Sequence, residues 1–459
     1  MLPTACVMKN GRFIKFLSRW FWLAAICWVG EPCTAAPPHY VFAHYMVCNP
    51  TYGASVQGFE HDIQDAQAAG IDGFVLNLGA YDDPTQIYYN KNVAYIYSAA
   101  QALGTGFKLF FSIEITNAAD IVQLIANYAP YTNTFLLGTN VVVSTFGQNN
   151  VDWQNGVLAP LKQQGIGVFF IPFFWPTPAS EMPSYSQGFD LLQSYTNLLD
   201  GLFLFGAAGV PYQVADSDSN YNSVVHSEGK IFMAGTSPHY WGCLQYSNQR
   251  RYFETDGGEG MDLEWRSIIA NQPDWVEIVT WNDYIESTYV SPVNDPGQYE
   301  PQFSTPHRYS HAGYLELMKR YIAWYKSGVE PPINQDALFY FYRTHSTNLV
   351  ASSSTDVPVT SFHGDVADVI YNTLLLTAPA DLTVMTGTNK FNYSLGAGLQ
   401  QIRTPFSPGP QVFTLHRNGA QVLSVQGPSI LSSITNYDYF PASGYVYGLM
   451  PPSNLKAQP

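Results

Sequence analysis

Short apolar runs alternate with longer segments of helical periodicity from residue 40 to about residue 327. Continuous apolar runs predict strands that are buried on both faces, and the segments between them predict amphipathic helices. The predicted strands are 40–47, 71–78, 107–113, 140–145, 166–175, 201–205, 230–235 and 275–281. The predicted helices are 57–69, 92–103, 118–129, 151–164, 188–199, 219–228, 260–271 and 311–326.

Eight strand–helix units in about 290 residues predict an α/β fold, a closed (β/α)8 TIM barrel over residues 37–330. The alternative is an open, doubly wound sheet. Such a sheet usually carries a Gly-rich phosphate loop after its first strand, and Met46-Val47-Cys48-Asn49-Pro50 is not one. The pattern therefore favours the barrel.

The sequence pattern changes after residue 335, where short strand-like segments are separated by turn-forming residues such as Arg417-Asn418-Gly419. This pattern predicts a C-terminal antiparallel β-sandwich domain over residues 331–459. The predicted strands there are 337–342, 366–376, 382–386, 390–396, 411–416 and 420–426. This domain either binds a ligand or braces the barrel, and bracing is favoured because no exposed Trp cluster is evident in it.

The N-terminus has the three parts of a secretory signal peptide over residues 1–36. Four basic residues lie between positions 9 and 19, an apolar run covers 20–30, and small residues precede Pro37. The run is too short to span a bilayer comfortably, although an uncleaved anchor is the alternative. The sequence therefore predicts a secreted, extracellular or periplasmic protein with no membrane contact after cleavage.

Composition narrows the partners of the mature chain. The net charge of −15 argues against nucleic acid and anionic lipid. Only 12% of residues are charged while 15% are aromatic, which suits a surface that meets neutral, hydroxylated ligands such as sugars; a Tyr-rich core is the alternative. After removal of the leader only Cys48 and Cys243 remain, and whether they pair is left open. Because the sequence has no His/Cys cluster of the kind that binds zinc, we expect no metal and no cofactor. We also expect the protein to be a monomer.

The segment after the eighth predicted strand carries the strongest candidate chemistry. Catalytic groups of (β/α)8 barrels lie at the C-terminal ends of the strands, and Asp283 and Glu286 follow the eighth. Hydrolysis of a glycosidic bond usually needs two carboxyl groups, and aromatic neighbours such as Trp281 and Tyr284 can raise one pKa by desolvation. The alternative is that Glu286 caps a turn and only Asp283 faces the site.

Further candidates lie at the ends of the other strands or beside the carboxyl pair, and we expect them to contact substrate. They are His44, Tyr45, Asn77, Glu114, Trp175, His239, Tyr240, Trp241, Trp281, Asn282 and Tyr284. Glu277, inside the eighth strand, is expected either to support the site or to form a structural ion pair. The acids on predicted helices are expected to face solvent; they are Asp62, Asp65, Asp190 and Glu264.

Several motifs, in order, resemble glycoside hydrolase family 71, the α-1,3-glucanases or mutanases. They include VFAHYMV at 41–47, FKLFFS at 107–112, FIPFF at 170–174 and DWVEIVTWNDYIES at 274–287. The resemblance covers about residues 40–450. It implies a barrel followed by a β-sandwich and hydrolysis of α-1,3-glucan with inversion. The family's catalytic pair maps onto Asp283, assigned as general base, and Glu286, assigned as general acid.

The chain departs from the family pattern at Ile285, where a Gly is usual, and a branched residue there restricts the backbone between the two carboxylates. The alternatives are therefore a barrel glycosidase for a different α-glucan or other polysaccharide, and a non-catalytic glucan-binding relative.

Overall fold

The computed structural model describes residues 39–243, 250–292 and 309–449. Pro38–Pro459 form one compact unit. The predicted signal peptide lies outside the described residues. Within the described ranges, no helix is both long and apolar enough to cross a membrane.

A curled sheet of eight parallel strands forms the N-terminal part, and every strand predicted there is present. The eleven strands in the described residues of this part of the chain are β1 Tyr40–Met46, β2 Gly73–Leu78, β3 Lys108–Ile113, β4 Leu136–Leu137, β5 Asn140–Thr145, β6 Val168–Phe170, β7 Gly201–Phe203, β8 Ile231–Thr236, β9 Tyr240–Trp241, β10 Arg251–Phe253 and β11 Trp275–Ile278; β4, β9 and β10 are not among the eight. The order of the parallel strands is β6-β5-β3-β2-β1-β11-β8-β7, with β4 antiparallel to β5. Consecutive parallel strands are therefore neighbours in the sheet, except β6 and β7 at its two ends, and the last parallel strand pairs with the first.

The two end strands of this sheet, β6 and β7, are linked by backbone hydrogen bonds rather than by a regular ladder. Asp200 N donates to Phe170 O at 2.9 Å, and Phe203 N donates to Pro172 O at 3.0 Å. The predicted strand 166–175 is cut short because Pro172 has no N–H with which to continue the ladder.

Helices follow the strands as expected. They are α1 Val56–Ala68, α2 Tyr88–Leu103, α3 Ala118–Tyr128, α4 Ala159–Gln163, α5 Tyr185–Tyr195, α6 Pro211–Ser227, α7 Gly257–Asn271 and α8 Ala312–Ser327. The predicted helix 151–164 is instead a π-helical turn, Trp153–Leu158, followed by the short α4. Helix α6 begins well before its predicted start, because Pro211 occupies the first turn, where a missing N–H costs nothing.

Strands make up the C-terminal part; those of its two four-stranded sheets pair antiparallel, whereas Ser361–His363 pairs in parallel with β10. They are β12 Ala337–Arg343, β13 Ser361–His363, β14 Val369–Leu376, β15 Ala380–Thr386, β16 Asn389–Leu395, β17 Gly398–Pro405, β18 Gly409–Arg417, β19 Ala420–Ile430 and β20 Pro441–Tyr447. Two four-stranded sheets, β17-β14-β12-β20 and β16-β15-β18-β19, share one hydrophobic cluster that includes Leu338, Ile370 and Phe413. A third sheet, β13-β10-β9, joins this part to the loop after β8.

The expectation that the helical acids face solvent is wrong for two of them. Asp62 is fully buried and accepts hydrogen bonds from Tyr45 Oη and Trp281 Nε1, each at 2.7 Å. Glu264 is also buried and accepts from Thr236 Oγ1 at 2.9 Å. Both lie on the sheet-facing side of their helices, where donors on the strands offset the cost of burial. Asp190 is exposed, as expected, and Asp65 is half-buried.

Candidate active site

The segment that follows β11 is fixed to the end of β1. Asn282 Oδ1 accepts from Met46 N at 2.7 Å, and its Nδ2 donates to Asn49 O at 2.6 Å. Trp281 N donates to His44 O at 2.7 Å. These bonds hold Asp283 and Glu286 at the C-terminal end of the parallel sheet, as the sequence analysis expects for a catalytic loop.

The Asp283 carboxylate caps the turn that leads to Glu286. Its Oδ1 accepts from the backbone N–H groups of Ile285 at 3.2 Å and of Glu286 at 3.3 Å. Glu286 instead reaches a pocket with its side chain. The roles that the sequence alternative gave the two residues are therefore exchanged: Asp283 caps, and Glu286 faces open space.

The branched side chain at Ile285 is compatible with this turn. Among the described residues of the turn, the left-handed backbone conformation occurs at Ser287, with φ 58°, and not at Ile285. The Ile285 side chain packs against a buried cluster that contains Tyr284 and Trp241. A glycine is therefore not required at this position.

Burial separates the two carboxyl groups in acidity. Burial raises the pKa of Asp283 to about 6, although the N–H of Glu286 and the charge of His44 oppose the rise. Burial, followed by the negative charge of Asp283, raises the pKa of Glu286 to about 8. Near pH 7 the pair therefore favours an ionised Asp283 beside a protonated Glu286, the combination of a base and an acid in one site.

We call the cavity that Glu286 reaches the aromatic pocket. Its volume is about 240 Å³. The residues that line it are Phe146, Phe173, Trp175, Glu181, Phe205, Gly206, Ala207, Ala208, Tyr240, Arg251 and Glu286. An apolar wall with a few charged groups is typical of a small-molecule site.

A chain of polar contacts runs along one wall of the aromatic pocket to Glu286. Arg251 forms an ion pair with Glu181 and donates from Nη2 to Tyr240 Oη at 3.3 Å. Tyr240 in turn donates its hydroxyl to Glu286 Oε1 at 3.0 Å. The guanidinium carbon of Arg251 lies 5.3 Å from the centre of the Tyr240 ring, which stacks the two side chains. Tyr240, itself held by Arg251, therefore orients the Glu286 carboxyl.

A second group of polar side chains, which we call the polar cluster, lies on β11 and toward the C-terminal ends of β1, β2 and β3. It consists of His44, Asn77, Glu114 and Glu277, with Asp283 next to it. His44 Nδ1 is 2.6 Å from Glu277 Oε1, and both side chains are buried, so Glu277 is hydrogen-bonded to His44 within the site region. Burial raises the pKa of Glu114, while the charge of His44 and a hydrogen bond from Asn77 lower it.

Several predicted contact residues have their polar atoms engaged below the pocket rather than in it. Tyr45 and Trp281 bond to Asp62, and Tyr284 Oη lies 3.3 Å from Thr51 Oγ1. His239 Nδ1 lies 3.0 Å from Ser287 Oγ. Trp241 packs on Tyr439 and Phe440. Of the predicted site residues, Trp175, Tyr240 and Glu286 line the aromatic pocket. The functional role of these three, like that of the others, stays a prediction.

Sequence reasoning missed part of the pocket wall. Phe146, Phe173 and Phe205 lie near the ends of predicted strands, but only some of the side chains at such ends were considered. Glu181 lies in the long loop after β6, and Arg251 begins the short strand β10, which was not among the predicted strands. Their charge was the available signal: only 12% of the residues in this chain are charged, so Glu181 and Arg251 were candidates for a functional role.

In the ranges that the structure describes, no three His, Cys, Asp or Glu side chains come together as a metal site would require. Among the described residues, the candidate active site therefore consists of the carboxyl pair, the aromatic pocket and the polar cluster.

The chain matches the model of glycosyl hydrolase family 71 over residues 38–450. It is 31% identical to the glucan endo-1,3-alpha-glucosidase agn1 of Schizosaccharomyces pombe, covering 89% of this chain and 94% of that protein. It is 27% identical to a mutanase of Penicillium rubens, with 87% of each chain covered. The GH99 endo-alpha-mannosidase of Bacteroides thetaiotaomicron matches with a TM-score of 0.48 and 12% identity, covering 64% of this chain and 99% of that one.

Proposed function

The chain belongs to glycosyl hydrolase family 71 and is a glycosidase, and we propose that it hydrolyses α-1,3-glucan with inversion. The observation that carries this proposal is the position of Glu286 on the wall of the aromatic pocket with Asp283 directly beside it. The substrate follows from the relatives, which are named as an endo-1,3-alpha-glucosidase and a mutanase.

In the proposed reaction Glu286 is the general acid. Its proton passes to the glycosidic oxygen as the bond between that oxygen and the anomeric carbon breaks, so the leaving sugar departs as an alcohol. Tyr240 supports this role because its hydroxyl holds Glu286 Oε1 and orients the carboxyl.

Asp283 is the proposed general base. It takes a proton from a water molecule while the water oxygen forms a bond to the anomeric carbon from the opposite side. Two backbone N–H groups hold Oδ1, so we assign the water to Oδ2. His44, which is hydrogen-bonded to Glu277, opposes the rise in the pKa of Asp283 and so helps to keep Asp283 ionised.

The finer architecture is part of the proposal. The backbone bonds between the ends of β6 and β7 support a closed (β/α)8 barrel over residues 37–330. The hydrophobic cluster common to two antiparallel sheets supports a β-sandwich over 331–459. We further propose that a signal peptide at 1–36 directs the chain out of the cell and that the mature protein is a monomer.

Nuclear magnetic resonance of the products tests the function directly. We expect α-1,3-glucan to yield α-1,3-linked oligosaccharides or glucose whose new reducing end is first the β-anomer, because inversion converts an α-linkage to a β-hydroxyl. An α-anomer as first product would contradict the inverting mechanism. Absence of reducing sugar from α-1,3-glucan, with release from another polysaccharide, would contradict the substrate.

A further inference from the structure

The face of the sheet that carries the site has two chemically different halves. The aromatic pocket lies over the ends of β5, β6, β7 and β8, where Phe146, Trp175 and Phe205 supply the wall. The polar cluster lies over β11 and the ends of β1, β2 and β3. The two halves meet where the Phe205 ring lies edge-to-face on His44, with centroids 5.1 Å apart.

The two carboxyl groups face different halves. Glu286 lines the aromatic pocket and interacts with Tyr240, Arg251 and Glu181. Asp283 is not among the described residues that line this pocket. Its Oδ1 caps the turn to Glu286, whose pKa its charge raises, and its other electrostatic neighbours are His44 and Glu114. The proposed acid and the proposed base therefore lie on opposite sides of a boundary between the halves.

We propose that the aromatic pocket binds the glucosyl unit on the leaving-group side of the scissile bond, with Arg251 and Glu181 as its hydrogen-bonding pair. This inference rests on the proposed acid and base. A general acid lies beside the leaving oxygen, whereas the base and its water lie on the far face of the sugar that is attacked. A pocket that contains the acid without the base therefore fits the leaving sugar.

The size and chemistry of the pocket suit one sugar ring. Its volume of about 240 Å³ lies below the roughly 300–1,000 Å³ of pockets for drug-sized ligands. Trp175 is braced by Phe173, with ring centroids 4.9 Å apart. Such rings stack against the C–H face of a sugar, while Glu181 can accept and Arg251 can donate to hydroxyls.

A glycine keeps the Trp175 indole in place. Gly147 has φ +69°, and a Cβ there would lie 3.1 Å from Trp175 Nε1. Both the backbone conformation and the close approach require glycine, so the strand end is shaped around this ring.

Two substrates that differ only in their leaving group test the assignment. One is α-1,3-glucan; the other is the α-fluoride of an α-1,3-linked gluco-oligosaccharide, which has no leaving sugar. With the fluoride, water forms the bond to the anomeric carbon, fluoride leaves with the electron pair of the broken C–F bond, and the water proton goes to Asp283. We expect Trp175→Ala to lower kcat/KM for glucan by roughly tenfold or more, the loss of about 1.4 kcal/mol of stacking.

The loss for the fluoride is expected to be several-fold smaller than the loss for glucan. Glu181→Gln, which keeps the shape of the pocket, is a second variant in which we expect the same inequality. Trp324→Ala, an indole on α8 outside the site, is the matched control and should behave as wild type with both substrates.

Equal losses of Trp175→Ala and Glu181→Gln on the two substrates, with an active wild type, would overturn the assignment, because the pocket would then hold the sugar that is attacked. A wild type that releases fluoride but does not cleave α-1,3-glucan would instead contradict the proposed function, and with it this inference. Circular dichroism of each variant separates a lost contact from a lost fold.

Discussion

Replacing Tyr240 with Phe removes one hydroxyl and leaves the ring, and it should move the alkaline limit of activity upward. The hydroxyl donates to Glu286 Oε1 at 3.0 Å, and this bond lowers the pKa of Glu286 against the larger, opposing effect of burial. Without the bond the pKa of Glu286 rises further above about 8. Because the proposed acid must be protonated, activity would then persist to higher pH.

The size of the effect follows from the strength of one hydrogen bond in two protonation states. A bond to a charged acceptor is worth about 1.5–3 kcal/mol and one to a neutral acceptor about 1 kcal/mol. The difference, on the order of 1 kcal/mol, corresponds to roughly 0.7 of a pH unit at 1.36 kcal/mol per unit. The shift should keep its sign because Arg251 stays beside the site, held by Glu181.

The assay is kcat/KM for α-1,3-glucan from pH 4 to pH 10, since this profile reports the acid and base of the free enzyme. In the wild type the rate should rise through about pH 6, as Asp283 ionises, and fall through about pH 8, as Glu286 loses its proton. Tyr212→Phe, at a Tyr that is 59% exposed, controls for loss of a hydroxyl elsewhere. An alkaline limb that stayed in place or moved down in Tyr240→Phe would refute the reasoning.

Two further predictions concern the buried acids. Burial raises the pKa of Glu264 from 4.5 to about 8. The protonated Glu264 side chain therefore stabilises the fold fully below pH 4.5. This stabilisation, up to about 5 kcal/mol, is lost as the pH rises toward 8. Glu264→Gln should therefore narrow the difference in Tm between pH 5 and pH 8, with the exposed Glu228→Gln as control; an unchanged difference would count against it. Asp62→Ala leaves two buried donors, on Tyr45 and Trp281, without their acceptor. It should lower the free energy of unfolding, measured by urea titration, by about 2–6 kcal/mol. A loss no larger than that of the exposed Asp190→Ala would show that these bonds contribute little.

The order of the elements was predictable from the sequence because it depends on local periodicity. Strand β5, Asn140–Thr145, has the predicted bounds, and the loop with Asp283 and Glu286 lies at the expected end of the sheet. Strands at the edges of the sheets were harder to predict from the sequence. Strand β20 contains Pro441 and Gly444, which are typical of loops, and it forms because β12 offers it a complete antiparallel partner.

The burial of Asp62 and the wall of the aromatic pocket could not be predicted from local pattern. The partner of Asp62, Trp281, is 219 positions away, so a helical acid that binds across the fold has the same local sequence as a solvated one. Arg251, at the start of β10, and Glu181, in the loop after β6, are 70 positions apart, and only the folded chain brings them together beside Tyr240. Long-range pairing of polar groups is thus the part that sequence periodicity does not encode.

The most direct test of the acid–base pair is the rate at which purified Glu286→Gln releases reducing ends from α-1,3-glucan, measured beside the wild type at pH 7. Gln keeps the size of the side chain and can still accept from Tyr240, but it has no proton to give to the leaving oxygen. The account predicts that kcat falls by about 10²–10⁴-fold, with an unchanged circular dichroism spectrum. A Glu286→Gln enzyme that cleaves α-1,3-glucan at the wild-type rate would contradict it.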